Sequence, residues 1–313
     1  MTAQAHVVLF PGQGSQEKGM GRPLAESWSD AMELWQRAEK ISGLALREIY
    51  WDGDEKDMVD TRALQPALTV VSLGLWYHLK SKLNPLGVSG HSLGEFAALA
   101  AANVLEPDAV LELVSVRGQL MADAESRGGG GMAAVLKLSL EQVEALVDEA
   151  ASASDAMLKI ANFNSPAQFV ISGEKKAVDE AVSLAKKYKG RAIPLAVSGA
   201  FHSPLMDDAA RELEKVMTRY DWRDPAFPVY SCVSATAASD PATLRELMTR
   251  QMTSSVRFIE TVAAMYDDGA RRFIELGPKG VLTKLAAANL KGRNDEFETV
   301  NIANAEAAAA FSN

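Results

Sequence analysis

Leu86-Gly87-Val88-Ser89-Gly90-His91-Ser92-Leu93-Gly94-Glu95 is a short apolar run that ends in G-x-S-x-G and flows into an alanine-rich segment, Phe96 to Ala102. Strand, sharp turn, helix is the context that a nucleophile elbow requires. Its glycines relieve crowding where the chain reverses, and the turn lifts the Ser92 hydroxyl clear of the sheet. The backbone N–H of Leu93 and the start of the helix then face the oxyanion that forms when Ser92 attacks an acyl carbon. The plainer alternative is a glycine-lined turn whose serine caps a helix. Small side chains after the turn predict close packing of that helix on the sheet.

Outward from the elbow, the pattern is that of an α/β protein. His6 to Phe10, broken by Pro11-Gly12-Gln13-Gly14-Ser15-Gln16, predicts a buried strand and a tight loop. Helical periodicity runs through Ala31, Leu34, Trp35, Ala38 and Ile41, and again from Pro66, read as a first helical turn, to Lys80. A helix from near Pro107 is broken by Gly128 to Gly131, which marks a domain boundary. Beyond it the reading is a strand (Met132 to Leu138), then a helix opened by Ser139 with Gln142 as a capping box. Strands Leu158 to Phe163 and Gln168 to Ser172 flank a turn at Asn164-Ser165-Pro166, followed by a helix (Glu174 to Tyr188) and a strand (Ala192 to Val197). That order is βαββαβ, the ferredoxin-like unit. The larger pattern then resumes, with helices near 206–219, 242–252 and 256–266 and strands near 227–233, 273–276 and 299–303. The expected fold is an α/β-hydrolase-like large subdomain, residues 1–128 and 198–313, carrying an inserted ferredoxin-like small subdomain, residues 129–197.

Composition agrees with this and narrows the function. The 313 residues carry 32 Lys+Arg against 41 Asp+Glu, a net charge of −9, with 48% hydrophobic and 23% charged residues. Such a chain has room for about two domains and a sizeable core, and is neither disordered nor fibrous. An acidic chain without a basic tail is poorly suited to nucleic acid, whose affinity rests on phosphate neutralisation. Cys232 is the single cysteine, so no internal disulfide forms; with four histidines it makes no cluster at metal-ligand spacing. No basic n-region precedes the apolar run Val7 to Phe10, and the uncharged stretch between Arg62 and Lys80 is too polar and short for a membrane span. A cytoplasmic protein without membrane contact is expected. No feature of the sequence sets an oligomeric state.

A serine is inert at its own pKa and needs a base. His6 begins a strand, His78 sits inside a helix, and His91 diverges from its neighbour Ser92. His202 lies in a loop of small residues, Val197-Ser198-Gly199-Ala200-Phe201-His202-Ser203-Pro204, and follows Ser92 in the chain order of hydrolase triads. It is the best candidate, with a loop histidine meeting solvent as the alternative. No acid near it is an obvious third member, since Asp207 and Asp208 suit the first turn of the next helix, so the orienting group is expected to be neutral. Arg117 falls inside the apolar stripe Val110, Val114 and Met121. A guanidinium there must find partners, either a structural carboxylate, solvent at the end of a snorkelling side chain, or a substrate carboxylate held by two parallel hydrogen bonds. The loop Gly12 to Glu17 is no dinucleotide fingerprint, because Glu17 stands at the third glycine position. Its glycines still let backbone approach a ligand, and some loop beside the elbow must supply a second oxyanion donor. Cys232 reads as a small core residue, and Lys186, Lys187, Lys189 and Arg191 as a solvated helix end that also suits an acidic partner.

Together these segments resemble the malonyl-CoA:acyl carrier protein transacylases, the acyltransferases of fatty acid and polyketide synthesis, over nearly the whole chain. The matching pieces, in order, are Phe10 to Gln16, Gln65-Pro66-Ala67, Gly90 to Glu95, Arg117-Gly118, Asn162 to Pro166, Gly199 to Ser203, Gln251 to Ser254 and Glu275 to Pro278. The sequence departs from the pattern at Ser231 to Ala235, in lacking a proline after Ser255, and at Gly277-Pro278-Lys279-Gly280, all loops beside the expected pocket.

The resemblance implies Ser92 as nucleophile, His202 as base and the amides of Gln13 and Leu93 as the oxyanion hole. It implies that Arg117 holds a malonyl carboxylate and that Gln251 orients His202 through a carbonyl. Asn162 and Phe201 join the substrate-binding set, with Phe201 crowding an α-methyl group and so favouring malonyl over methylmalonyl. The implied partners are malonyl-CoA and an acyl carrier protein, with no cofactor beyond the coenzyme A thioester that is the substrate. A malonate decarboxylase or polyketide carrier, a serine thioesterase or esterase, and a silent docking module are the other readings. An acidic carrier and the coenzyme A phosphates lead to the expectation that basic residues gather at the cleft mouth.

Overall fold

The His6–Phe10 strand, β1, is buried along its whole length, as a central parallel strand flanked by helices on both faces must be. Alternate side chains divide between two cores, Val8 and Phe10 facing one and Val7 and Leu9 the other. The structure, a computed structural model, describes residues 5–197 and 199–311. Residues 1–4 of the amino-terminal reading, Ser198 before the His202 loop, and the terminal residues 312–313 of the expected large subdomain lie outside the described residues.

After β1 come α1 (Arg22–Ser27), α2 (Ser29–Ser42), α3 (Thr61–Leu79), β2 (Gly87–Gly90), α4 (Gly94–Ala101) and α5 (Pro107–Ser126). The middle of the chain forms β3 (Gly130–Leu136), α6 (Leu140–Ser154), β4 (Leu158–Ser165), β5 (Gln168–Glu174), α7 (Lys175–Leu184) and β6 (Arg191–Pro194). The remainder is α8 (Asp207–Met217), β7 (Val229–Ser231), β8 (Thr236–Ala238), α9 (Pro241–Arg250), α10 (Phe258–Asp267), β9 (Arg272–Leu276), α11 (Val281–Asn289), β10 (Glu298–Ile302) and α12 (Ala305–Ala310). One sheet has the order β10-β9-β1-β2-β7-β8, parallel except for β8. The other has the order β4-β5-β3-β6, antiparallel throughout, with α6 and α7 on one face.

Several boundaries differ from those expected, each for a local reason. Helix α3 starts at Thr61, because the Asp60 side chain caps it by accepting from the Arg62 N–H. Pro66 therefore lies within the helix, and Gln65 is buried beside it. Gly128 and Gly129 make the turn of the glycine run, whereas Gly130 and Gly131 already belong to β3. Asn164 and Ser165 are strand rather than turn, and β6 ends at Pro194, with Leu195 N–H making a last bond to the Met132 carbonyl of β3.

Strand β4 carries a bulge between Ile160 and Asn162. Ile160 pairs with Ile171 and both face the α6–α7 core, whereas Asn162 pairs with Val170 and both line a cleft between the sheets. Strict alternation would have put Asn162 on the core side; the extra residue, Ala161, re-aims it.

In the main sheet, Phe10 is in register with Gly90, and His91 N–H donates to the Phe10 carbonyl at 3.0 Å. The loops following β1 and β2 therefore run side by side at the carboxyl ends of the strands, where open α/β sheets place their sites. Glycine permits this approach: a Cβ on Gly94 would stand 1.9 Å from the Phe10 carbonyl oxygen. Gly94→Ala is accordingly expected to destabilise the fold by about 3 kcal/mol or more, because the obstacle is backbone that cannot repack. A denaturant midpoint within error of the wild type would contradict this.

Candidate active site

Ser92 sits at the apex of the β2–α4 turn with φ of +53°, a left-handed conformation that a non-glycine residue adopts only under constraint. Its Oγ lies 2.7 Å from His202 Nε2. His202 also has a positive φ, +58°, in a loop braced by Ser203 Oγ donating to the Ala200 carbonyl at 2.6 Å. His202 Nδ1 faces two backbone carbonyls, Gln251 at 3.1 Å and Ser254 at 3.0 Å. Carbonyls only accept, so the ring carries its proton on Nδ1 and offers Nε2 to the serine hydroxyl. Burial, reinforced by the charge of Arg117 and by His91, pushes the His202 imidazole down to about 3, so it is neutral at physiological pH.

The segment that supplies those carbonyls is tied to β4 of the smaller sheet. Val256 N–H donates to Ala161, Phe163 N–H to Val256, and Ser255 Oγ to the Ile160 carbonyl at 2.7 Å. The smaller sheet is thus tied to the segment beside His202.

Arg117, on α5, is 2% exposed. Nη1 donates to Gln65 Oε1 at 2.8 Å, and Nη2 to both Ser92 Oγ and Gln251 Oε1 at 3.1 Å. All three acceptors are uncharged, and Nε has no partner among the described residues. Burial lowers the guanidinium to about 10, with Glu95 acting against it, so the charge persists at neutral pH. The centre of the Phe96 ring lies 5.7 Å from the guanidinium carbon, and a buried cation whose hydrogen bonds all go to neutral oxygens, with a spare N–H, is an arrangement that a carboxylate can complete.

Gln13 follows β1 in an exposed turn that packs directly on the elbow, since a Cβ on Gly12 would meet the His91 carbonyl at 2.3 Å. The backbone N–H groups of Gln13 and Leu93 make no hydrogen bond to an acceptor among the described residues. Gln13, Leu93, Asn162 and Phe201 line the same cavity of about 410 Å³ as Ser92, His202 and Arg117. Gln251 is 1% exposed and stands behind this wall, reaching Arg117 with its side chain and His202 with its carbonyl. His91 points away from the hydroxyl; its Nε2 donates to Asn164 Oδ1 at 2.8 Å, and Asn162 Nδ2 is 3.5 Å from it. Among the described residues Arg117 is the only Lys, Arg, Asp or Glu that lines the cavity, so the basic collar expected at the mouth is not part of the described walls.

Sequence reasoning gave Gln65, Glu95, Asn164 and Ser254 no role of their own. Gln65 and Glu95 are polar side chains inside otherwise apolar helical stretches, a signal that was available; Ser254 contributes only a backbone carbonyl, which leaves no trace in residue identity. Among the described residues no group of three or more His, Cys, Asp or Glu could hold a metal ion, and no helix is long and apolar enough to cross a membrane.

Residues 7–308 match the family described as "Acyl transferase domain". The chain is 38% identical over 279 residues to a malonyl CoA-acyl carrier protein transacylase of Staphylococcus aureus (strain MW2), covering 89% of this chain and 90% of that protein. Its fold is similar to an acyl carrier protein S-malonyltransferase from Vibrio cholerae, with a TM-score of 0.91, 35% identity, and coverage of 98% of this chain and 99% of that one. It is equally similar, at TM-score 0.91, 32% identity and 98% coverage of both chains, to a structure described as a type II PKS acyl-carrier protein in complex with its malonyl-transacylase.

Proposed function

The chain belongs to the acyl transferase domain family, and from that premise we propose that it transfers malonyl from malonyl-CoA to the phosphopantetheine thiol of an acyl carrier protein, through an ester on Ser92. The catalytic subdomain is assigned to residues 1–128 and 198–313 and the inserted one to 129–197, with the cleft between them as the site of reaction. The observation that carries the reading is Arg117, whose Nη2 stands 3.1 Å from Ser92 Oγ. Once an acyl group is bonded to Oγ, a carboxylate one methylene beyond the carbonyl falls within reach of the guanidinium. An enzyme for uncharged acyl chains has no use for a buried cation there.

In the first half-reaction Ser92 Oγ attacks the thioester carbonyl and its proton moves to His202 Nε2. The C–S bond then breaks, and coenzyme A leaves as a thiol with the proton returned by His202. In the second half-reaction the carrier thiol gives its proton to His202 and attacks the ester; Ser92 leaves and recovers a proton. Gln13 and Leu93 supply amides for the oxyanion in both halves, and the backbone carbonyl of Gln251 orients His202. Phe201 and Asn162 line the acyl position, with Phe201 disfavouring an α-methyl branch. The enzyme and its carrier are placed in the cytoplasm, and no cofactor enters the scheme.

Incubation with malonyl-CoA followed by intact-protein and peptide mass spectrometry is expected to show one malonyl adduct, on Ser92, discharged by a holo carrier protein. No adduct on Ser92 sinks the reading; an adduct lost to water and never passed to the carrier makes the protein a hydrolase.

A further inference from the structure

Glu95, in the first turn of α4, is 2% exposed and takes no part in the mechanism above. Its Oε1 accepts from Ser231 Oγ at 3.1 Å and Cys232 N–H at 2.9 Å; its Oε2 accepts from Gln251 Nε2 at 2.9 Å. The same Gln251 Nε2 also donates to the Ser92 carbonyl at 2.6 Å. A carboxylate and a carbonyl only accept, so the Gln251 amide must turn its NH2 towards them, and Oε1 is left facing Arg117. We infer that Glu95 is a positioning residue: by fixing the Gln251 amide it fixes the Arg117 guanidinium beside Ser92.

This rests on the function proposed above and adds to it the means by which the carboxylate-binding fork is oriented. Burial raises the Glu95 carboxyl, while the donors from Gln251, Cys232 and Ser231 and the charge of Arg117 favour its ionised form. An amide at position 95 breaks the arrangement. The Cys232 N–H claims its oxygen, its NH2 then opposes the NH2 of Gln251, and any rotation of Gln251 presents NH2 to the guanidinium. Without the rotation two NH2 groups stand opposed and push Gln251 aside; with it Arg117 keeps Gln65 and Ser92 but loses Gln251 Oε1, the acceptor that shares its Nη2 with Ser92 Oγ.

The test is Glu95→Gln and Ser231→Ala in the full-length protein, with kcat and KM measured for malonyl-CoA and acetyl-CoA alongside thermal unfolding. Glu95→Gln is expected to reduce the preference for malonyl over acetyl by about tenfold, mainly through malonyl-CoA KM. Ser231→Ala keeps the charge and removes one donor to it, and is expected to move the preference the same way by about two- to threefold. Equal losses on both thioesters, or an unchanged preference, overturn the role of Glu95. Should Glu95→Gln fail to fold, Ser231→Ala decides on the same criterion. Wild-type malonylation of Ser92, measured in parallel, separates this from failure of the underlying function, which an absent wild-type adduct alone would show.

Discussion

Replacing Arg117 by alanine is expected to lower kcat/KM for malonyl-CoA by about 2–5 kcal/mol, roughly 30- to 5000-fold, the range for removing one partner of a buried, hydrogen-bonded charge pair. Transfer of acetyl from acetyl-CoA should change by no more than a few-fold, because acetyl offers no carboxylate for the fork. The neutral oxygens of Gln65, Gln251 and Ser92 that hold the guanidinium in the free enzyme can relax around the smaller side chain. Arg117→Lys should recover only part of the malonyl activity, since an ammonium supplies a point charge without two parallel donors. Initial rates on the two thioesters check this, and equal losses on both would remove the carboxylate-binding role.

His202→Ala is expected to slow acylation of Ser92 by about 10²- to 10⁴-fold, the usual contribution of a positioned general base, with little change in malonyl-CoA KM. Its pH behaviour has a definite sign. Burial first, and then Arg117, holds His202 neutral down to about 3 in the free enzyme, so the acid limb of kcat/KM lies far below the ordinary histidine range near 6.5. A bound carboxylate neutralises Arg117 and raises the basicity of His202, so the acid limb of kcat should lie at higher pH than that of kcat/KM. Identical limbs would show that Arg117 and His202 are not electrostatically linked. Because the folded value is below the unfolded one, His202 also contributes stability that is complete above about pH 6.5 and is lost as pH falls towards 3. His202→Ala should flatten that acid-side decline in urea midpoints.

The elements readable from sequence are those specified by short spacings. The elbow is one, since Gly90, Ser92 and Gly94 lie within five residues and a Cβ on Gly90 would stand 1.9 Å from the Gly94 carbonyl carbon within the same turn. The Ser139–Gln142 capping box, present with both of its hydrogen bonds, is another. Pro66 misled because proline suits a first helical turn, and the Asp60 cap six residues earlier decided the start instead. Asn164 misled because asparagine before Ser-Pro suits a turn, whereas here its side chain is drawn into the cleft by His91.

Read alone, the sequence determined an α/β chain with an inserted βαββαβ unit, a serine on an elbow, a histidine without a nearby acid, and an arginine inside an apolar stripe. Each of these is a matter of residue type at short range. Tertiary structure decided which groups complete them. The Ala161 bulge turns Asn162 from the core to the cleft, a one-residue shift that local propensity does not encode. His202 is oriented by carbonyls at 251 and 254, which every residue possesses, and they are placed by the junction with β4. The hydrogen-bond partners that Arg117 finds within the chain are Gln65, Ser92 and Gln251, 52, 25 and 134 positions away, so only the tertiary fold brings them to one guanidinium.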